Sequence, residues 1–443
     1  MIRFGVFGRQ PKIFWVFVAV VLVAVGVIVV DSRATGPTEV ALPETPASSG
    51  FSASSRDQSG APTSIPGCDA VVASGSESFV GVIFQLGDGS YDDPRYPWFS
   101  GRKATALSDA LASALPAGTA IEFATPGTAA FGTESAFRFG PVQGPMSDGS
   151  MSDGSMDDGS VHDLSMFASS TAAGLLIRDG RGADVTVTIS KSTGGVPPCV
   201  AGDLDSRQVT ADGAVVDTKE AISEDGGRRA VTRTAIVHAL DGTMLQASAS
   251  QFVSPNEVMS MDELISLVSP SDLRLGAPIP DGTRPPPVPC DRLGEAQAGP
   301  AVNRADADRI GLALEQARIR ALRAVIAFEQ PLTPMQRGAF ADDTVCAAGR
   351  IVTPGSEGVV TVSITGGQPL PEIPDKYDPA ADRSVYTVRL PDGSISERSK
   401  FGARTVTVTR PSGTRICISS TSAGELVTVG NLESIATAPG LDL

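Results

Sequence analysis

Two distant stretches of this chain are written to one pattern, so any fold it adopts must use that pattern twice. Residues 172–189, AAGLLIRDGRGADVTVTI, align without a gap on residues 347–364, AAGRIVTPGSEGVVTVSI. Each begins Ala-Ala-Gly, passes through a glycine-containing turn and ends in a Val/Thr alternation. Alternation sends every second side chain to one face, so each stretch reads as a β-hairpin whose second strand is half buried. Further on, LISLVSPSDLRL (residues 264–275) aligns on LESIATAPGLDL (residues 432–443). Upstream, Cys68-Asp69 matches Cys290-Asp291, each just after a proline-containing segment. Between these anchors lie the turns Asp212-Gly213 and Asp241-Gly242 in the first copy, and Asp392-Gly393 and Ser412-Gly413 in the second. The same order in both copies points to internal duplication.

Each copy reads as an α+β unit, mainly antiparallel sheet with a few helices. An early helix is expected over residues 104–115 and again over residues 305–326, where Ile310, Leu314, Ala317 and Ala321 recur at helical spacing. Strands follow, and a short helix closes the unit; in the first copy it starts at the capping box Ser260-Met261-Asp262-Glu263. The units span residues 67–276 and 290–443. Between them runs APIPDGTRPPPVP, residues 277–289, which proline should keep stiff and extended. A length of 443 residues at 41% hydrophobic content suffices for cores of this number. With 4 Tyr and 2 Trp, those cores must be largely aliphatic.

The N-terminus suggests an address. Residues 13–30, IFWVFVAVVLVAVGVIVV, form an apolar run of 18 residues, long enough as a helix to cross a bilayer core of about 30 Å. Arg3, Arg9 and Lys12 precede it, so residues 1–12 should stay in the cytoplasm and the remainder outside. A cleaved signal peptide is the competing expectation, because Ser32-Arg33-Ala34 offers small residues to a peptidase. Residues 31–66 are rich in Ser, Thr, Ala, Pro and Gly without periodicity, the composition of a disordered stalk. Cys68, Cys199, Cys290, Cys346 and Cys417 all follow the run, and in an exported chain two disulfides and one free thiol are expected. Spacing leaves the connectivity open.

The closing pattern common to both copies, a short Leu-rich helix, an Asp- or Pro-containing turn and a final Leu-x-Leu, resembles the tails of single-pass exported proteins of high-GC Gram-positive bacteria. The resemblance covers about a dozen residues per copy. It carries no catalytic motif and implies only the membrane-anchored, exported setting.

Catalytic chemistry has few places to reside. A net charge of -15 and no basic run with interleaved aromatics argue against nucleic acid as a partner. With His162 and His238 as the only histidines, most hydrolytic arrangements fail, and no HExxH, GxSxG, SxxK or GxxxxGK[ST] motif occurs. His238 reads as a structural histidine on a strand, and Cys417 as a disulfide partner or buried thiol. The densest aromatic group outside the apolar run surrounds paired carboxylates: Tyr91, Asp92, Asp93, Arg95, Tyr96, Trp98 and Phe99. Such rings and carboxylates could stack on a sugar and work as an acid/base pair, or could simply pin a proline-rich loop to its own domain. The run MSDGSMSDGSMDDGS, residues 146–160, lacks the alternating carboxylates and closing Glu of a calcium loop. Its methionines with His162 would suit Cu(I), but flexible five-residue spacing presents no formed site. It reads as part of a disordered acidic loop over about residues 141–165. No catalytic residue, metal site or cofactor is therefore assigned. The expected function is a membrane-anchored extracytoplasmic binding, scaffold or sensor-like component with an envelope-protein or cell-wall partner. The alternatives are a carbohydrate- or peptidoglycan-active enzyme using the Asp92/Asp93 loop and a copper-handling protein using the Met/Asp loop.

Overall fold

Alternating burial along the strands builds two seven-stranded antiparallel sheets. The computed structural model describes residues 64–73, 91–124, 137–144, 168–192, 194–225, 227–253, 257–288, 290, 299–322, 326–338, 341–353, 356–373, 385–399, 403–421 and 427–443. The apolar run at 13–30, nearly all of the expected stalk and the methionine pentapeptides lie outside these residues. Among the described residues no helix is long and apolar enough to cross a membrane.

The first sheet comprises β2 (Ala120–Glu122), β3 (Ser169–Arg178), β4 (Arg181–Lys191), β6 (Ser206–Val209), β7 (Val215–Asp225), β8 (Arg228–His238) and β9 (Thr243–Phe252), in the order β2-β3-β4-β9-β8-β7-β6. A separate parallel pair joins β1 (Val71–Val72) to β5 (Cys199–Val200). The second sheet comprises β10 (Gln336–Gly338), β11 (Ala341–Thr353), β12 (Ser356–Thr365), β13 (Val385–Arg389), β14 (Ile395–Ser399), β15 (Arg404–Thr409) and β16 (Arg415–Ser420). Its order, β10-β11-β12-β16-β15-β14-β13, repeats that of the first. The aligned hairpins agree in register as well: Ala172 faces Val187 and Gly174 faces Val185, while Ala347 faces Val362 and Gly349 faces Val360.

Turn chemistry sets these registers. Asp179 and Gly180 both have positive φ, 52° and 72°, in the two-residue turn that joins β3 to β4. The four Asp-Gly and Ser-Gly turns share one geometry. In each, the glycine N–H donates to the carbonyl three residues back and the glycine has φ between 80° and 87°, as at Gly213, Gly242, Gly393 and Gly413. A side chain there would be strained, which is why glycine recurs. The glycine of each Ala-Ala-Gly has a different purpose. A Cβ at Gly349 would sit 2.7 Å from the Phe328 ring, and one at Gly174 would sit 3.2 Å from the Glu122 carbonyl, so both make room for a crossing segment.

Helices cover one face of each sheet. α1 (Gly101–Ser113) is N-capped by Ser100 and buries Leu107 and Leu111. The closing helix α2 (Met261–Val268) lies on β8 and β9 and has the expected capping box of Ser260 and Glu263. In the second half, α3 (Arg304–Leu322) buries Ile310, Leu314 and Ala317, and α4 (Val429–Ala436) lies on β15 and β16 with a capping box of Thr428 and Asn431. Leu264 and Leu432, matched in the sequence alignment, are both wholly buried in their cores.

The described residues all belong to one compact unit, because the halves share apolar contacts. Ile121 belongs to the first core, but Phe123, two residues on, is 6% exposed and belongs to the second. Arg304 donates from its guanidinium to the Ile121 carbonyl at 3.2 Å and from its backbone N–H to Glu122 at 2.7 Å. Arg337 places its guanidinium over the Phe123 ring and donates to the Ala124 carbonyl. Of the span expected as an acidic loop, residues 141–144 are described and the rest lies outside the described residues. Val142 is buried, and Gln143 exchanges backbone hydrogen bonds with Ser169, so residues 141–144 belong to the folded sheet margin.

Two disulfides form, Cys68–Cys199 and Cys290–Cys346, and Cys417 is a free thiol. Cys346, Ser363 and Cys417 lie in one cross-strand row. Two strand spacings of about 4.8 Å separate Cys417 from Cys346, beyond the usual Cα separation of a disulfide. Digestion without reduction should therefore recover the 68–199 and 290–346 linked peptides with Cys417 alkylated. Truncating Leu432 to alanine should cost about 2–5 kcal/mol by loss of burial and an unfilled cavity, read as a shift of the urea midpoint.

Candidate functional site

A hollow of about 670 Å³ lies where the halves meet. One wall is α1 through Thr105 and Asp109, with Arg138 beside it; the facing wall is α3 through Asp308 and Leu312. The segment from Gln330 to Met335 and the proline-rich stretch 282–287 complete it. Two smaller hollows, of about 190 and 400 Å³, continue it at either side. The first shares Arg138, Asp308 and Met335 with the main hollow, and the second shares Arg284, Gln330 and Pro331. The three are neighbours that share walls, and together they are called the trough.

Local sequence explains the walls. The proline-rich stretch was expected as a spacer, yet both halves hold it. Arg102 donates to the Thr283 carbonyl at 3.0 Å, the Lys103 ammonium donates to the Ala277 carbonyl at 2.6 Å, and Pro286 packs on Gly101. Gln336 donates to the Val288 carbonyl at 2.8 Å from the other side. Burial pushes the Lys103 ammonium below its ordinary pKa, with Asp241 partly offsetting. Gly311 lets the opposite wall approach: a Cβ there would be 3.1 Å from Thr333 and 3.3 Å from Met335.

Charges in the trough are mostly paired. Asp109 meets Arg138 at 3.7 Å, Asp308 meets Arg304 at 3.8 Å, Glu315 meets Arg318 at 2.5 Å and Glu329 meets Arg350 at 3.8 Å. Two oxygens are not partnered. Thr105 Oγ1 and Gln330 Oε1 are buried without a hydrogen bond, in residues 8% and 7% exposed. A buried polar atom without a partner costs about 1–3 kcal/mol, and atoms of this kind also occur away from the hollow, as at His238 Nδ1 and Ser394 Oγ. The trough lining carries no histidine or cysteine, and among the described residues no cluster of His, Cys, Asp and Glu could hold a metal. The arrangement is suited to holding a ligand by shape and hydrogen bonds.

The aromatic loop stands beside this trough as its support. Tyr91 donates its hydroxyl to the Phe139 carbonyl at 3.0 Å, Tyr96 is 5% exposed, and Trp98 packs edge-on between Tyr96 and Phe99. These rings join the first core, so the face of Tyr96 is not offered to a sugar. Asp92 accepts from the Gly101 N–H at 3.0 Å, stabilising the positive end of α1. Asp93 is gripped by Arg95, whose hydrogen bonds hold the carboxyl below its ordinary range. The loop thus anchors the start of the helix that forms one trough wall. Sequence reading missed the trough because its residues come from five separated segments; the glycine inside α3 was the one local signal available.

A second polar cluster lies elsewhere on the first sheet. Arg207 grips Asp217 with hydrogen bonds of 2.6 and 2.7 Å, and His238 Nε2 lies 3.3 Å from the same carboxylate. His238 is at the end of its strand as expected, with Nδ1 buried and unpartnered. Burial alone would raise the Asp217 carboxyl, but the hydrogen bonds from Arg207 and His238 outweigh it and hold the group below its ordinary range.

Comparisons add no family. No family model matches the chain, and no curated protein matches it. Solved structures give faint likenesses. A di-domain aromatase/cyclase, BexL, from the BE-7585A biosynthetic pathway is 11% identical, covering 61% of this chain and 76% of its own, at a TM-score of 0.11. A thioesterase II from Thermobifida fusca YX is 10% identical, covering 49% and 76%, at 0.09. A 12:0-ACP thioesterase from Umbellularia californica is 10% identical, covering 57% and 74%, at 0.10. Scores of this size carry no argument about fold or activity.

The Asp217 cluster yields a signed pH dependence. A depressed carboxylate contributes stability that is complete above its ordinary value of 3.8 and is lost as pH falls through its lower folded value. The stability gap between the native chain and Asp217→Ala, about 3–5 kcal/mol near neutral pH, should therefore shrink under acid, as measured by urea unfolding across pH.

Proposed function

We propose that this chain is a membrane-anchored, extracytoplasmic, non-catalytic binding component of a bacterial cell envelope, formed by two copies of one duplicated α+β unit. Residues 13–30 are its anchor and residues 31–66 its stalk. The binding surface is the trough between the copies. The observation that carries this reading is the hollow of about 670 Å³ where the two copies meet. The paired cysteines suit an oxidising compartment, in keeping with the proposed address. The repeated strand order supports duplication, since a composite trough is a direct product of placing two like units side by side.

A photoreactive benzoylphenylalanine at Leu312, which is 64% exposed on the trough wall, should give a discrete adduct in cells carrying the full-length chain. The same reporter at Leu240, 83% exposed on a hairpin turn, should give none. Equal adducts from both positions would sink the trough as the binding surface. A C-terminal tag that resists added protease on intact spheroplasts would sink the address.

A further inference from the structure

We infer that the outer edge of β13 is a pairing surface for a second copy of this chain, which adds its own β13 antiparallel about Thr387. The inference is independent of the trough.

The duplication locates the edge. Each sheet has one end strand beside the seam, β2 or β10, and one at the far side, β6 or β13. The two far strands enter their hairpins alike: Thr210 N–H donates to the Ala214 carbonyl at 2.9 Å, and Leu390 N–H to the Ser394 carbonyl at 2.8 Å. Along an antiparallel pair, residues that spend both backbone groups on the neighbour alternate with residues that point both away. Counting back from Leu390, Val388 and Tyr386 turn their groups to β14, whereas Arg389, Thr387 and Val385 point theirs outward. Counting back from Thr210, the outward residue that corresponds to Thr387 is Arg207, and each faces an acid, Glu397 or Asp217.

The copies treat this edge differently. In the first, the outward Arg207 N–H donates to the Pro66 carbonyl at 2.9 Å, and Gly67 lies so close that a Cβ on it would strike the Arg207 carbonyl. The Cys68–Cys199 disulfide fastens this cover. In the second, the segment before the matching Cys290 goes to the opposite end of the sheet, where Val288 bridges to Ala348 and Cys290 joins Cys346 on β11. Among the described residues nothing pairs with the outward side of β13. An open strand edge is a template for another strand, and the usual guards of proline, lysine or a bulge are missing from Val385–Arg389.

The strand is complementary to itself. Paired antiparallel about Thr387, that residue meets Thr387 of the second copy and Val385 meets Arg389, each pair exchanging both backbone hydrogen bonds. Val388 lies opposite the buried Ser396, which places Val388 and Tyr386 on the helix-bearing face. There Tyr386 meets Val388 of the second copy, and the reverse, and aromatic with β-branched is a favoured cross-strand pair. Tyr386 is 52% exposed and has surface left to bury. No like charges stand directly opposite. The two Glu397 side chains would be three strand spacings of about 4.8 Å apart, beyond a screening length of about 8 Å. Arg398 pairs with Glu433 at 2.6 Å and Arg415 lies 3.9 Å from Glu397, so the net charge of -15 is not concentrated at this edge. One strand of 5 residues from each copy is small beside a standard interface of about 1,600 Å², so the dimer is weak and forms where copies are concentrated.

The test uses the purified full-length chain in mild detergent at about 100 µM, with Cys417→Ser so that the native free thiol takes no part. Thr387→Cys sets two thiols across a Cα separation of about 5.5 Å, within the range of a disulfide. Arg389→Cys, on the same edge, sets its thiols about 14 Å apart along the strands, out of range. Mild oxidation and non-reducing electrophoresis should give at least about tenfold more covalent dimer from Thr387→Cys than from Arg389→Cys. Adding Tyr386→Lys to the Thr387→Cys chain should lower the yield about fivefold and leave the urea midpoint unchanged, since Tyr386 is exposed. Equal yields from positions 387 and 389, no covalent dimer from either, or a yield indifferent to Tyr386→Lys would overturn the inference. In cell membranes, a Thr387→Cys adduct with a different protein in place of the dimer would overturn the second copy as the occupant.

Discussion

Phe123 is the pivot of the molecule. It follows the shortest strand of the first sheet and is buried in the core of the second, while Ile121 on the same segment is buried in the first. Adjacent carbonyls, which burial would leave costly, receive donors from Arg304 and Arg337 of the other half. Apolar burial therefore joins the halves, and the arginines satisfy the backbone that crosses between them. The trough exists because this seam closes on one side and the proline-rich stretch closes it on the other.

The two halves reach the same topology with different local solutions. Each closing helix has its C-terminal carbonyls bonded by a buried arginine, favourable where the helix dipole is negative. In the first half this is Arg274, following the helix and bonding Val268 and Ser269; in the second it is Arg410, from a hairpin, bonding Ala436 and Ala438. The disulfides diverge too. Cys199 lies beyond the aligned hairpin, whereas Cys346 lies within it. Strand order and helix position are thus retained where the hydrophobic core demands them, and the fastenings vary because several fastenings satisfy the same chemistry.

The aromatic loop shows how a plausible site can be a support. Its carboxylates are engaged, one at the start of α1 and one on Arg95, and its rings face the core. Its effect on the trough is indirect: it holds Gly101, against which Pro286 of the opposite wall packs. The trough has the contrary character: its lining leaves Arg284 exposed and Leu312 largely in solvent.

Local order was legible in the residues. Val/Thr alternation, the glycine turns and the capping boxes act over a few positions, so strands, hairpin registers and closing helices follow from sequence, and comparing the copies extends that reading to both halves. The number of disulfides also followed, from the cysteine count and the apolar run that precedes them. Connectivity did not, because it depends on which strands become neighbours: Cys346 and Cys417 share a row but stand two strands apart. The same limit hid the trough. Thr105, Arg138, Arg284 and Gln330 are far apart in the chain and individually unremarkable, and the burial of Phe123 across the seam, with the hydrogen bonds that hold the proline-rich stretch to both halves, brings them to one place. Periodicity records which face of an element is apolar; which two apolar faces meet is decided by packing.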